Sequence, residues 1–437
     1  MNRKSWVVIS IILAVFLAVK MPFLTYSLSD ENTYFYMAKL LTEGKTPYID
    51  FFLAHPPTQI YLLASLWGMT GSFLALKIIP TLAAMGTGLL LFLFFQKKDR
   101  ILASGVTILF LFSYDVLRIT THGTGIPLAT LFIMLGLYLN KRPLWAGISF
   151  GIASLFRYHA LIVIIPFILF LIWKRRQWRM AAGFIAIFGL GTLIFSIIFG
   201  QSYLFDTFTY HFLKKGTSAF ILWRMLLRNP LLWIGSIFIL LHRKLGVLEV
   251  SAIVYFLFLV IFQQSFNYYY LPLFLLLALL VGKYGGRLPD RAVISSVLII
   301  GIVSTIFFLG NHDQEFIIAP EVAGHAKNHP AQQLFGDDFS APLIAFLSGK
   351  PLVGGMADIN PALFESRVVH YEQITPLLPQ GTLIISYQED FPEGVLWYGA
   401  VSHEPFQQVI KVCEPDKDYV LDEGTPRKML RLYRCGI

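Results

Sequence analysis

The chain has 437 residues, of which 56% belong to the apolar set and only 14% are charged, and its mean hydropathy is +0.64. Ordinary soluble domains carry about 25% charged residues, so this composition excludes a soluble globular protein and predicts a polytopic membrane protein. The formal charge of +9 does not indicate a nucleic-acid-binding protein, because the Lys and Arg residues punctuate apolar runs instead of clustering on one surface.

The first apolar run extends from about Ser5 to Leu24 and follows Arg3 and Lys4. It lacks a small-x-small cleavage pattern and many similar runs follow it, so we expect a retained transmembrane helix and not a signal peptide. The later runs cover 73–95, 101–117, 125–139, 144–156, 160–173, 180–200, 230–241, 245–262, 269–282 and 292–309. Because a spanning helix needs roughly 20 residues, the sequence predicts an all-α polytopic membrane protein with about 11 transmembrane helices, the short ones being tilted, kinked or half-embedded.

The placement of Lys and Arg predicts the orientation, because basic residues resist translocation. If the N-terminus is cytoplasmic, the segments after every second run are rich in basic residues and almost free of acidic ones. These inner segments include Lys97, Lys98, Arg100, Lys141, Arg142, Lys174 and Arg179. We therefore predict a plasma-membrane protein with a cytoplasmic N-terminus, in which residues 25–58 and 311–437 lie outside.

The first outer loop, 25–58, is polar, aromatic and acidic. Ser29 or Asp30 is placed to cap a helix over 31–43, Gly44 is placed to end it, and Pro47 follows. One face of this helix carries Tyr34, Met37 and Leu41. We therefore expect the helix to lie along the membrane surface.

Asp30 and Glu31 form an acidic pair within this loop. Two roles are open for Asp30: a helix N-cap, which contributes on the order of 1 kcal/mol, or a general base that removes a proton from an incoming nucleophile. Glu31 either tunes that base, binds the acceptor or interacts favourably with the N-terminus of the helix.

His55, Pro56 and Pro57 form a stiff segment at the end of the loop, because each proline fixes its own φ and restricts the residue before it. The direction of His55 is therefore fixed. At headgroup level its imidazole can donate to a phosphate oxygen, and the alternative is a simple turn that ends the loop.

Six basic residues lie at predicted outer ends of helices, although most Lys and Arg residues between the apolar runs lie in the predicted cytoplasmic segments. They are Arg118, Arg157, Lys214, Lys215, Arg224 and Arg228. Charge near the hydrocarbon boundary often marks a functional site, and arginine suits a bidentate grip on phosphate. The candidates for a phosphate pocket are Arg118, His122, Arg157 and His159. Snorkelling to lipid headgroups is the alternative, and it is the role expected for Lys20 and Lys77.

The segment 311–437 differs in kind from the apolar runs. Its short alternating stretches TLIISYQED, KDYVLDEG and KMLRLYRC predict β-strands. We therefore expect a small extracytoplasmic α/β domain after a transmembrane domain of residues 1–310. The two cysteines of the chain, Cys413 and Cys435, both lie in this segment. In an oxidising compartment they can form a disulfide, and a buried pair of free thiols is the alternative.

Several of these motifs together resemble those of the GT-C-fold glycosyltransferases, in particular the protein O-mannosyltransferase and aminoarabinose-transferase branch. The resemblance rests on an N-terminal span, Asp30-Glu31-x-x-Tyr34, Gly44-Lys45-x-Pro47-Tyr48-x-Asp50 and His55-Pro56-Pro57, followed by many spans and a small outer domain. Motif-level similarity covers about residues 1–180.

The resemblance implies a membrane enzyme that transfers a sugar from a polyprenyl-phosphate donor to a lipid, glycan or protein acceptor on the outer side, with inversion. It gives Asp30 the role of catalytic base or acceptor-orienting carboxylate. Aminoarabinose transferases have Lys-Pro-Pro where this chain has His55-Pro56-Pro57, which implies that His55 contacts the lipid phosphate, although a neutral imidazole is a poorer partner than an ammonium. The candidate acceptor or sugar contacts are Tyr34, Asp115, His122 and Tyr268.

Asp115 is the nearest match to a second acidic residue found after the third span in relatives, and His122 is the alternative at that place. Tyr268 either stacks on a sugar or belongs to an interfacial aromatic belt.

The expected partners are the lipid-linked donor, the acceptor and membrane lipids, without nucleic acid. No cofactor is required, because the phosphate already activates the donor, and the ten histidines give no convincing metal-ligand set, so a divalent metal is left open. A transporter or flippase of lipid-linked sugars is the alternative function. It predicts polar residues deep within the spans and internal repeats, and neither is obvious in the sequence.

Overall fold

The computed structural model describes residues 3–213, 229–241, 245–261, 267–285, 290–310, 316–391, 394–424 and 426–436. Four of the outer basic residues, Lys214, Lys215, Arg224 and Arg228, lie outside these ranges. The helices up to residue 213 are α1 (Arg3–Lys20), α2 (Glu31–Thr42), α3 (Thr58–Thr70), α4 (Phe73–Phe95), α5 (Arg100–Leu111), α6 (Tyr114–Ile119), α7 (Ile126–Tyr138), α8 (Pro143–Phe156), α9 (Ala160–Arg175), α10 (Trp178–Phe184), α11 (Leu190–Leu204) and α12 (Tyr210–Leu213).

The later helices are α13 (Pro230–Leu241), α14 (Val247–Ile261), α15 (Leu271–Tyr284), α16 (Asp290–Gly310), α17 (Ala319–Asn328), α18 (Ala341–Ser348), α19 (Pro361–Glu365), α20 (Tyr371–Ile374) and α21 (Glu404–Ile410). The strands are β1 (Gln333–Gly336), β2 (Thr382–Phe391), β3 (Gly394–Trp397), β4 (Glu414–Asp422) and β5 (Arg427–Cys435). The chain is therefore mostly helical, with a small sheet near its C-terminus.

Every predicted apolar run coincides with helix. The run over 101–117 is divided between α5 and α6, because Ser113 adopts an extended conformation before α6 (φ −66°, ψ 136°). A helix outside the predicted runs, α3, has 13 residues and begins and ends with polar side chains, which obscure it as an apolar run.

Within the described ranges, three helical stretches are long and apolar enough to cross a membrane: Arg3–Phe23, Phe73–Phe95 and Trp178–Leu213. The shorter apolar helices are Arg100–Leu111, Ile126–Tyr138, Pro143–Phe156, Ala160–Lys174, Val247–Ile261 and Ser296–Gly310. The described helices thus fit a membrane-embedded protein, and the predicted number of about 11 spans is reached only if shorter helices also cross.

The chain divides into two compact units, and the first comprises Met1–Leu24, Lys77–Ile198 and Gly216–His312. Its core is α15, in which all residues except Lys283 are buried. A helix that is apolar on all sides must be covered on all sides, and α15 packs on α5, α7, α13 and α14. These helices form the frame that carries the polar residues of this unit.

Lys20 does not snorkel as the sequence predicts. Its side chain is fully buried in the first unit, where Nζ donates to the Leu117 carbonyl and, at 3.1 Å, to Thr120 Oγ1. Lys77 is also buried, with only 1% of its surface exposed. Protein groups in place of lipid headgroups therefore bind the Lys20 ammonium, and Lys77 is enclosed by the protein as well.

The second unit comprises Thr25–Leu76, Phe199–Lys215 and Asp313–Ile437. Its sheet has the order β1-β2-β5-β4, with β3 on β2; β1 and β2 are parallel and the other pairs are antiparallel. The disulfide between Cys413 and Cys435 links the residue before β4 to the end of β5, with Cα atoms 4.7 Å apart. The predicted first outer loop thus forms one compact unit with the C-terminal segment.

Candidate functional site

Asp30 lies immediately before α2, in the second unit. It is half-buried, its backbone is helical (φ −54°, ψ −20°), and its side chain makes no capping hydrogen bond. The geometry therefore disfavours the N-cap alternative for this carboxylate.

Glu31 is fully buried and accepts hydrogen bonds from two serine hydroxyls. The donors are Ser27 Oγ at 2.6 Å and Ser29 Oγ at 3.1 Å. Both donors belong to the segment that precedes α2, so Glu31 fixes that segment against the helix. The two neighbouring acids therefore have different surroundings.

Part-buried polar contacts hold α2 against the C-terminal segment. Asn32 Nδ2 donates to the Ser27 carbonyl at 2.7 Å and to the Phe339 carbonyl at 2.6 Å. Lys39 Nζ donates to the Phe346 carbonyl at 2.8 Å. α2 packs on α3 and α18, and Met37 is 1% exposed. The helix face assigned to the membrane surface is thus covered by protein at Met37, and the direction of Asp30 is set by this packing.

Two further acids, Asp337 and Asp338, follow β1 at its carboxyl end. Asp337 accepts from the backbone N–H groups of Phe339 (2.9 Å), Ser340 (2.7 Å) and Tyr387 (3.0 Å), and from the Ser340 hydroxyl. These donors fix the turn after β1 and join it to β2. Asp337 therefore has a structural role.

Asp338 has few donors although it is equally enclosed. Oδ2 accepts from Asn360 Nδ2 at 3.3 Å, and the buried Oδ1 has no hydrogen-bond partner among the residues that the structure describes. Burial raises the pKa of Asp338 well above its ordinary range, and the negative charges of Asp30, Asp337 and Asp358 raise it further. Asp338 is thus electrostatically coupled to Asp30, and its neutral form is favoured.

His55 lies at the end of the first loop beside a second histidine. Its ring stacks on that of His211 with centroids 5.2 Å apart, and Tyr34 is 6.2 Å away on the same measure. Tyr48 Oη donates to the His55 carbonyl at 2.6 Å, and His211 Nε2 lies 2.7 Å from the Ala54 carbonyl. These contacts fix the rigid segment that the two prolines predict, and they place Tyr34 near His55.

Asp206 supports the same segment, because its Oδ2 accepts from the Leu53 amide at 3.4 Å. Asp206 and His211 both come from the stretch Phe199–Lys215 of the second unit. The edge around His55 is therefore built from two distant parts of the chain.

A separate polar group lies in the first unit around the turn Asn267–Tyr270. The His159 ring stacks on Tyr269 with centroids 4.2 Å apart, and the His122 ring contacts Tyr268 edge-on at 5.5 Å. Arg157 is 2% exposed and has extended backbone where α8 ends. The structure therefore brings the predicted segments around His122 and His159 to one turn.

Arg118 and Asp115 lie on the short helix α6. Arg118 is half-buried in the last turn. Asp115 is buried and accepts from Asn229 Nδ2 at 3.1 Å, while Asn229 Oδ1 accepts from the Leu231 amide at the start of α13. Asp115 thus helps to position α13.

Sequence reasoning missed Asp338, Asp206 and His211. A signal for Asp338 exists, because the Asp337-Asp338 pair follows a short apolar strand, and ligand-binding residues often lie at the carboxyl ends of parallel strands. Asp206 and His211 carry no comparable local signal, since they act only through contacts with the first loop.

No protein-family model matches the sequence, and no curated protein matches it either. Among solved structures, ArnT from Cupriavidus metallidurans bound to undecaprenyl phosphate matches with a TM-score of 0.64 and 13% identity, over 99% of this chain and 98% of ArnT. The archaeal oligosaccharyltransferase AglB from Archaeoglobus fulgidus, in complex with an inhibitory peptide and a dolichol-phosphate, matches with a TM-score of 0.55 and 10% identity, over 97% of this chain and 80% of AglB.

The arabinofuranosyltransferase AftD from Mycobacteria matches with a TM-score of 0.52 and 12% identity, over 100% of this chain and 42% of AftD. At such low sequence identities, the similarity to these solved structures shows a shared fold only. The chain therefore has the GT-C fold that its first-loop motifs predict.

Proposed function

We propose that this chain is a membrane glycosyltransferase that moves a sugar from a polyprenyl-phosphate donor to an acceptor on the extracytoplasmic side. The observation that carries the proposal is the fold shared over 99% of this chain with ArnT in its complex with undecaprenyl phosphate. AglB, which matches over 97% of this chain, was solved with a dolichol-phosphate. Two neighbours with a lipid phosphate bound support a lipid phosphate as the leaving group here.

In the proposed reaction, Asp30 accepts the proton of an acceptor hydroxyl or amine as that atom bonds to the anomeric carbon. The bond from this carbon to the phosphate oxygen breaks, and polyprenyl phosphate leaves with the bonding electrons. One displacement of this kind inverts the anomeric centre. The half-buried position of Asp30 at the start of α2 and the fixed direction of that helix support this role.

We assign His55 and His211 to the lipid phosphate. Their stacked rings, with centroids 5.2 Å apart, offer two imidazoles next to a rigid proline segment. An imidazole N–H donates well to a phosphate oxygen. Because His211 Nε2 donates to the Ala54 carbonyl, His211 can donate to the phosphate only through Nδ1 of its protonated ring, and that positive charge would compensate in part for the lysine that aminoarabinose transferases have at the position of His55.

In the first unit, Arg118 and Arg157 are proposed phosphate ligands, with His122, His159 and Tyr268 as polar neighbours. A guanidinium forms two parallel hydrogen bonds with a phosphate and keeps its charge when it is buried. Arg157 is 2% exposed and lies where α8 ends, so its guanidinium is held in a fixed position.

The proposed topology is the one that basic residues predict, with the N-terminus in the cytoplasm and the C-terminal segment outside. The disulfide Cys413–Cys435 supports this side, since disulfides persist in oxidising compartments. The acceptor is a lipid, a glycan or a protein of the cell envelope.

Mass analysis of surface glycolipids and glycoproteins tests the proposal, in cells with and without the protein. We expect at least one glycoconjugate to lose a hexose or pentose unit when the protein is removed, with the unglycosylated acceptor left in its place. If the protein were a flippase, its removal would make the lipid-linked sugar accumulate on the cytoplasmic side. Transfer itself would be carried out by a different enzyme, once the donor reaches the outer side. Unchanged glycoconjugates would contradict the transfer proposal.

A further inference from the structure

Three side chains of the C-terminal segment, His325, His329 and Asp416, form a cluster that the proposed transfer reaction does not use. His325 lies in the last turn of α17, and His329 follows the helix four positions later, so both imidazoles project from the same side. Asp416 lies on β4, which supplies a carboxylate opposite them.

Both imidazoles point their Nε2 atoms at the same carboxylate. His325 Nε2 is 2.6 Å from Asp416 Oδ2, and His329 Nε2 is 3.6 Å from Asp416 Oδ1. One ligand atom from each of the three residues lies within 4.8 Å of the other two. Zinc bonds of roughly 2.0–2.2 Å with tetrahedral angles separate neighbouring ligand atoms by about 3.4 Å. Small side-chain shifts therefore convert the cluster into a three-ligand coordination set.

We propose that His325, His329 and Asp416 bind a divalent transition-metal ion of the zinc type, with water completing the coordination. Two imidazole nitrogens and one carboxylate oxygen suit zinc, cobalt or nickel, whereas magnesium and calcium prefer sets made of oxygen alone.

The burial of the cluster fits an open coordination site. The His329 side chain is 6% exposed and that of Asp416 is 17% exposed, whereas His325 is 28% exposed. Two ligands are thus held by the protein, and the third faces solvent, where water and the ion enter.

Metal binding changes two hydrogen bonds of the cluster. The contact between His325 Nε2 and Asp416 is replaced by bonds to the ion. The Ala331 amide donates to His329 Nδ1 at 3.1 Å, which leaves the ring proton on Nε2. For Nε2 to bind the ion, that proton moves to Nδ1 and the Ala331 contact is lost, and the bond to the metal replaces it.

Two cations lie nearby, and each already has a partner. Lys350 Nζ donates to the carbonyls of His329 and Ala331, and Arg434 pairs with Glu414. Their charge is therefore shared with neighbouring oxygens.

A bound ion would join the end of α17 to β4, so its role is to stabilise the C-terminal segment.

Cobalt binding by the tag-free, full-length protein tests the site, after a chelator has been applied and removed. Cobalt(II) gives strong visible absorption in four-coordinate sites, and zinc displaces it without adding colour. We expect one equivalent of cobalt to bind, zinc to remove the bands, and His325→Ala and Asp416→Asn each to weaken binding at least tenfold. His370→Ala, which changes an exposed histidine of the same segment, should bind cobalt like the wild type.

Neither cobalt binding nor thermal unfolding depends on sugar transfer, so both measurements test the metal site independently of the proposed function. Thermal unfolding with and without zinc is measured on the same samples, and zinc should raise the unfolding temperature of the wild type and of His370→Ala only. The proposal is overturned if the wild type binds no stoichiometric cobalt. It is also overturned if correctly folded His325→Ala and Asp416→Asn bind it as tightly as the wild type.

Discussion

At the residue scale, neighbouring carboxyl groups of this chain differ because their hydrogen-bond donors differ. Glu31 accepts from two serine hydroxyls, whereas Asp30 makes no capping hydrogen bond at the start of α2. Asp337 accepts from three backbone amides and a hydroxyl, whereas the described part of the chain provides no donor for the buried Asp338 Oδ1. Burial and the negative charge of Asp30 therefore raise the pKa of Asp338.

Asp338 predicts a pH-dependent effect on stability. Burial and neighbouring negative charges raise its pKa well above the ordinary value of 3.8, so the folded chain holds the proton more tightly than the unfolded chain. The stability from this group is fully present below about pH 4 and is lost as pH rises through the raised pKa. Asp338→Asn should therefore leave the unfolding temperature unchanged near pH 4 and raise it at about pH 8, measured by differential scanning fluorimetry.

Asp337→Asn is the matched control for that experiment. In the wild type, backbone N–H groups donate to the Asp337 carboxylate. The NH2 group of asparagine cannot accept these hydrogen bonds, so the unfolding temperature should fall at both pH values. A fall for Asp338→Asn at both pH values would show that Asp338 acts as an anion in the folded protein.

The two stacked histidines predict an effect on donor binding. His55→Ala and His211→Ala should each weaken binding of undecaprenyl phosphate on the order of tenfold, the value of one hydrogen bond to a charged group. The bond from Tyr48 to the His55 backbone survives the truncation, which favours a folded variant. Isothermal titration on the purified protein measures the affinity, with His403→Ala as a control. Wild-type affinity in both variants would exclude the histidines as phosphate ligands.

At the element scale, Asp30 lies at the start of α2, and part-buried hydrogen bonds to the C-terminal segment position this helix in the second unit. Asn32 contacts a carbonyl 307 positions away in the sequence, next to Asp338. Lys39 contacts the Phe346 carbonyl. The orientation of the proposed base therefore depends on the C-terminal segment.

Asn32→Ala should destabilise the second unit by about 2–3 kcal/mol, because one buried and one part-buried carbonyl group lose their donor. The expected signs are a lower unfolding temperature and faster proteolysis of the loop before α2. Thr42→Ala is the matched control, since its hydroxyl bonds the Lys39 carbonyl in an exposed last turn. Equal stability of the two variants would contradict the proposed role of Asn32.

The sequence predicts elements best where their limits are set locally. The helix predicted over 31–43 is observed as Glu31–Thr42, and the local signal that marks its end is Gly44, whose φ is 87°. The strands β2, β4 and β5 match the alternating stretches for the same reason. The break at Ser113 and the burial of Lys20 were not predictable in this way, since both depend on neighbouring helices.

At the scale of the whole molecule, apolar runs and a few first-loop motifs are enough to predict the GT-C fold, although identity to ArnT is only 13%. Helix packing within a membrane tolerates wide changes of apolar residues, so the fold persists when sequence similarity does not. The candidate site was predicted only in part. Asp206 and His211 contact the first loop from distant parts of the chain, and the charge of Asp30 acts on Asp338 across a long sequence separation, which no local pattern contains.

The central claim is that Asp30 is the base of a transfer reaction, and its replacement by asparagine tests this most directly. The amide keeps the size of the side chain but cannot accept the proton. Cells that produce Asp30→Asn are compared with cells that produce Glu43→Gln, a change at an exposed acid after α2. Mass analysis follows the glycoconjugate that depends on the wild-type protein.

We predict that Asp30→Asn reaches normal levels in the membrane, binds undecaprenyl phosphate like the wild type and lowers transfer by about 100-fold or more. Glu43→Gln should retain transfer. Wild-type transfer by a normally folded Asp30→Asn protein would contradict the account.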